Sequence, residues 1–130
     1  MSIADKTNAS GNKRVLVVDD SALASRQLAD VIGKCDGFEV VGRAKNGAEA
    51  LALLDGLAPD IVCLDIVMPV MDGLQALRTI QAIRPAIKVL MVSSVAGVGD
   101  QMSEALRLGA HDVIVKPFDN AKVEAILKRL

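Results

Sequence analysis

From residue 14 to residue 130 two hydrophobic periods alternate along the chain. Short unbroken apolar runs such as "RVLVVD" and "IVCLD" have the length and β-branched content of buried strands, and they predict strands over 14–19, 38–44, 60–65, 87–93 and 111–116. Between them apolar residues recur three and four apart, which predicts helices over 21–34, 47–56, 73–83, 100–108 and 120–130. In the first helix Ala24, Leu28, Val31, Ile32 and Cys35 share one face, while Arg26 and Asp30 point elsewhere. Leu23 falls roughly 140° from Leu28 at about 100° per residue, off that face. Residues 1–12, "MSIADKTNASGN", follow neither period and read as a flexible polar tail before a single domain, 13–130.

Five strands alternating with five helices call for an α/β architecture of three layers, a parallel sheet covered on both faces. In such open sheets function gathers at the carboxyl ends of the strands. The length of 130 residues suits one domain, and the 52% hydrophobic content makes it globular. A formal net charge of -1 gives no electrostatic basis for binding nucleic acid or an acidic membrane. With no Trp or Tyr, stacking platforms for bases are also missing. The best candidate for a membrane span, 60–71, is interrupted by Asp65, and the N-terminus lacks a secretion-signal pattern. Cys35 and Cys63 lack metal-ligand spacing and read as small core residues of a protein in a reducing cytoplasm.

The strand ends carry the chemistry. Strand one ends in Asp19-Asp20, strand three in Asp65, strand four in Ser93-Ser94 and strand five in Lys116-Pro117. Three carboxylates with one lysine leave an anionic pocket, which a hard divalent cation such as Mg²⁺ would neutralise. A metal and a lysine around one further carboxylate suit phosphoryl transfer, with Asp65 as the nucleophile that forms an acyl phosphate. The following "MPVMDG" has the Pro and Gly of a tight turn. No Gly-rich phosphate loop follows strand one, which counts against a nucleotide site. Ser21 reads as a helix cap. His111 is structural or surface, and Met68, Met71, Met91 and Met102 fill core or loop space.

Together "VLVVDDSA", "DIVCLDIVMPVMDG", "VLMVSS" and "GAHDVIVKPF" resemble the receiver domain of bacterial two-component response regulators, in order and over 13–130. The "DDSAL", "MVSSVAGVGD" and "ALRLGAHD" stretches are most similar to the receiver of the chemotaxis methylesterase; no esterase domain follows, so a stand-alone receiver is expected. The resemblance implies a flavodoxin-like doubly wound sheet with strand order 2-1-3-4-5. It implies Asp65 as phosphoacceptor, with Mg²⁺ bound by Asp20, Asp65 and the backbone carbonyl of Val67, and by Asp19 through a water. Lys116 would pair with the phosphoryl group beside a cis bond to Pro117, and Ser93 would be the switch hydroxyl.

The implied role is a signalling switch. A histidine kinase or phosphotransfer protein would phosphorylate Asp65, docking on the first helix where Leu23 is a candidate contact. A downstream protein would then bind the face formed by helix four, strand five and helix five. The switch would catalyse only its own phosphorylation and slow dephosphorylation, without nucleic acid or membrane, as a monomer or weak dimer. Three positions depart from the family pattern. Val67 and Val95 replace polar groups that help place an attacking water, which predicts a long-lived phosphoryl-aspartate. Val113 replaces the usual Tyr or Phe, which predicts weaker coupling to the output face. The competing readings are an aspartate-nucleophile phosphohydrolase and a non-phosphorylated receiver-like scaffold. Adjacent Asp19-Asp20 disfavours the first, and the complete set of Asp19, Asp20, Asp65, Ser93 and Lys116 disfavours the second.

Overall fold

The computed structural model describes residues 11–66, 72–94, 100–117 and 119–130. In chain order the elements are β1 (Lys13–Val18), α1 (Ala22–Gly33), β2 (Phe38–Ala44), α2 (Gly47–Leu57), β3 (Ile61–Asp65), α3 (Gly73–Ile83), β4 (Lys88–Ser94), α4 (Asp100–Arg107), β5 (Asp112–Lys116) and α5 (Asn120–Lys128). The bounds of β2 and α3 coincide with those expected from hydrophobic period, and the remainder differ only at their ends. Helix α1 starts one residue late because Ser21 is its cap, the hydroxyl accepting the Ala24 N–H at 3.2 Å.

The five strands form one sheet in the order β2-β1-β3-β4-β5, every neighbouring pair parallel. Strand periodicity splits the core in two. Leu16, Val18, Val62, Leu64, Val89 and Met91 face Leu54, Leu77, Ile80 and Ala105 of α2, α3 and α4. The alternate residues Val15, Val17, Ile61, Cys63, Leu90 and Val92 face Leu28, Ile32, Val123 and Leu127 of α1 and α5. The central strands are therefore apolar on both faces, and this produces the unbroken runs in the sequence. Cys63 lies wholly inside, and burial pushes its thiol up to about 12. Burial, with the charge of Glu124 next in size, also raises the Cys35 thiol. Both cysteines are free and buried, as their apolar context implied.

Two details depart from the expected packing. The innermost residues of α1 are Ser25, Leu28 and Ile32, while Ala24 and Val31 are only half-buried. The helix is rotated toward Ser25, whose hydroxyl is the one fully buried side-chain polar atom without a hydrogen-bond partner among the described residues. At the amino edge of the sheet Arg14 and Asp60 interlock. The Arg14 N–H donates to Asp60 Oδ2 at 2.8 Å, the Asp60 N–H donates to the Arg14 carbonyl at 2.8 Å, and the Arg14 guanidinium donates to the Leu57 carbonyl at 3.1 and 2.8 Å. These bonds satisfy backbone groups that the ends of α2 and β3 would otherwise leave unpaired. No helix of the described residues is long and apolar enough to cross a membrane.

Candidate functional site

Strands β1 and β3 are direct neighbours, so the residues at their carboxyl ends emerge side by side. The Asp19 N–H donates to the Ala44 carbonyl at 3.0 Å, extending the β1–β2 ladder by one residue before the chain turns into α1. Asp19 is 5% exposed, Asp65 8% and Ser93 3%, whereas Asp20 faces solvent. One oxygen from each of Asp19, Asp20 and Asp65 lies within 4.8 Å of the others. Lys116 Nζ stands 3.2 Å from Asp19 Oδ2 and 3.8 Å from Asp65 Oδ2, bridging the two buried carboxylates. The Lys116–Pro117 bond is cis, as the resemblance implied.

Three negative charges face one positive charge in this cluster. At 4.8 Å and an effective dielectric near 20, each like-charge pair repels by about 3 kcal/mol. The Lys116 ammonium, close to Asp19 and Asp65, offsets much of this repulsion, but the cluster still carries surplus negative charge. The donor set is all carboxylate oxygen, suited to a hard cation and not to a soft one. Exposed Asp20 leaves one side open to water, which suits an ion that keeps part of its hydration shell. The residues present therefore fit a divalent cation of the magnesium class.

Register brings the remaining groups to the same edge. Asp65 is opposite Val92, and Ser93 follows directly on β4; Ser94 is opposite Lys116 on β5. Asp65, Ser93 and Lys116 thus come from three successive strands. Asp19, Asp20, Asp65, Ser93 and Lys116 share the carboxyl edge, while Val67 and Val95 lie outside the described residues. Leu23 is 66% exposed on α1, off the core face as its angle predicted. His111 is exposed, and its N–H donates to the Val89 carbonyl at 2.8 Å. Val113 is buried in the core with Met91, Ala105 and Ala110.

One function went unread in the sequence. The Ser21 N–H donates to Asp19 Oδ1 at 2.9 Å, so this residue steers the buried carboxylate as well as capping α1. The signal was the Asp-x-Ser spacing, an aspartate accepting from the backbone two residues on.

Comparison with known proteins agrees with this geometry. The family model of the response regulator receiver domain matches residues 15–128. The chain is 43% identical over 118 residues to the chemotaxis protein CheY of Thermotoga maritima, covering 91% of this chain and 97% of that one. It is 50% identical over 105 residues to protein-glutamate methylesterase/protein-glutamine glutaminase 3 of Rhodospirillum rubrum, covering 80% of this chain but 28% of that protein. Among solved structures, CheY in the CheX-CheY-BeF3-Mg+2 complex from Borrelia burgdorferi superimposes with a TM-score of 0.82 at 36% identity, covering 90% of this chain and 87% of that one. The sheet order and acidic edge are those of a flavodoxin-like signalling domain, and the chain belongs to the response regulator receiver domain family. Its relatives include both CheY proteins and the receivers of methylesterases.

Proposed function

We propose that the chain is a phosphorylation-controlled switch of a two-component pathway, with Asp65 as phosphoacceptor. The carrying observation is the gathering of Asp19, Asp20 and Asp65 within 4.8 Å around a single shared lysine. A carboxylate oxygen of Asp65 attacks the phosphorus of a phosphohistidine or small phosphodonor; the bond to the leaving group breaks and an acyl phosphate forms. Lys116, already within reach of Asp65, meets the negative charge that develops on the phosphoryl oxygens. Asp19 holds Lys116 in that position and, with Asp20 and Asp65, would hold Mg²⁺, which when bound supplies the rest of the charge neutralisation. Ser93, buried beside Asp65 on β4, donates its hydroxyl hydrogen to the new phosphoryl group.

The donor would be a histidine kinase or phosphotransfer protein reaching the open side of the site next to exposed Leu23. The output would pass through α4, β5 and α5, where Leu106 and Val115 are exposed. A relative solved in a complex with CheX, BeF3 and Mg²⁺ supports both a cation and a protein partner for this chain. Val113, aliphatic and already buried, offers no ring to swing inward, so coupling to that face is weaker than in receivers with an aromatic there. Apolar Val67 and Val95 would slow hydrolysis of the phosphoryl-aspartate. The setting is the cytoplasm, and the only chemistry is the protein's own phosphorylation and dephosphorylation.

The test is incubation with acetyl phosphate and Mg²⁺, read by intact mass. The wild type gains one phosphoryl group; Asp65→Ala and a wild-type sample with chelator do not. Equal phosphorylation of Asp65→Ala would overturn the assignment.

A further inference from the structure

We propose that Gly73 is a positioning residue for Asp65, its missing side chain allowing α3 to bear directly on the phosphoacceptor's own main chain. The inference rests on the reading of Asp65 as phosphoacceptor and explains how that carboxylate is held in place. The main chain just after Asp65 is gripped from two directions, at the N–H and at the carbonyl of Ile66. On one side the Ile66 N–H donates to the Val92 carbonyl of β4 at 3.0 Å. On the other the Gly73 N–H, in the first turn of α3, donates to the Ile66 carbonyl at 2.9 Å. A Cβ on Gly73 would lie 2.2 Å from the Asp65 carbonyl oxygen, 2.7 Å from Ile66 Cα and 3.0 Å from the Asp65 carbonyl carbon.

Ordinary reasons for a glycine do not apply here. Among the described residues the positive-φ glycines are Gly11, Gly37 and Gly109, so Gly73 is not needed for its backbone conformation. As a helix former glycine holds no advantage over alanine. What alanine cannot do is fit. All three crowded atoms are backbone, so no rotamer change relieves the clash. Reaching a tolerable contact from 2.2 Å requires Asp65 and α3 to separate by about 1 Å, a displacement able to slow a reaction about 100-fold. Gly42 gives the contrast: a Cβ there would meet Leu57 Cδ1 at 2.6 Å, the far end of a flexible side chain that can turn away.

The experiment measures Mg²⁺ affinity by titration calorimetry on the unphosphorylated chain, and the rate of phosphorylation by acetyl phosphate, at a temperature where every variant is folded. Gly73→Ala should weaken Mg²⁺ binding by about tenfold or more and slow phosphorylation about 100-fold, while Gly42→Ala matches the wild type in both. Gly73→Ala within twofold of wild type in both, or an equal loss in Gly42→Ala, would overturn the proposal. Should Gly73→Ala not fold, the cap of α3 supplies the second arm. Asp72 Oδ1 accepts the Gln75 N–H at 2.8 Å, so Asp72→Ala loosens the same turn without adding bulk. Asp72→Asn keeps the cap and removes the charge. Weaker Mg²⁺ binding in Asp72→Ala alone supports the role of the turn; equal affinity in both variants overturns it. A wild type that binds no Mg²⁺ would instead remove the site reading itself.

Discussion

The two edges of the sheet handle charge in opposite ways. At the amino edge the Arg14 and Asp60 side chains each meet a backbone group, and the bonds close the ends of α2, β1 and β3. At the carboxyl edge Asp19, Asp20 and Asp65 crowd together with one lysine among them, an arrangement that keeps surplus negative charge. Charges of the first kind hold the fold together. Those of the second kind work against it and are expected where a cation and a phosphoryl group are to be received.

The largest expected effect breaks the carboxyl edge. Lys116→Met should slow phosphorylation of Asp65 by roughly 10²–10³-fold, the usual loss when one donor to a developing oxyanion is removed. A rate within threefold of wild type, read by intact mass over time, would deny Lys116 that role. Next come opposite stability changes at the two edges. Asp60→Ala strands the Arg14 N–H and should lower unfolding free energy by about 1–3 kcal/mol. Asp65→Asn removes one of three like charges and should raise it by about 1 kcal/mol in chelator. Urea titrations compare the two; changes of the same sign would erase the contrast.

Cys63 lies on β3 midway between the edges and reports on the core alone. Its thiol holds the proton up to about 12 in the folded chain, against an ordinary 9.0. Between those values the unfolded chain has released a proton that the folded chain keeps, so stability falls as pH rises above about 9. The slope is at most about 1.4 kcal/mol per pH unit for one thiol. Cys63→Ala should flatten this alkaline loss, and an unchanged slope would place its origin elsewhere. The smallest effect concerns Ser25. Its buried hydroxyl, without a partner among the described residues, serves neither edge, so Ser25→Ala should stabilise the chain by about 1 kcal/mol. Destabilisation by thermal melting would mean the hydroxyl has a partner that matters.

The strand-end residues were legible because short unbroken apolar runs locate buried strands, and a parallel sheet sends all their carboxyl ends to one edge. The placement of Asp19, Asp20, Asp65, Ser93 and Lys116 followed from that alone; the cation seat and Asp65 as nucleophile were argued from their chemistry, and the role of Ser93 from resemblance to a family. What stayed hidden depended on contacts between distant elements. The pairing of Arg14 with Asp60 requires the β1–β3 register, which apolar runs of five or six residues do not specify. Ser25 entered the core because α1 turns Ser25, Leu28 and Ile32 inward, with Ala24 and Val31 left half-buried. Gly73 read as an ordinary turn residue, and its pressure on Asp65 emerges only once α3 is packed against β3.

Surplus negative charge at the carboxyl edge could seat a cation. Titration of the intact, unphosphorylated chain with Mg²⁺ tests it most directly. One ion should bind per chain, and Asp20→Ala should weaken that binding by about tenfold or more. No saturable binding, or binding indifferent to the loss of Asp20, would contradict it.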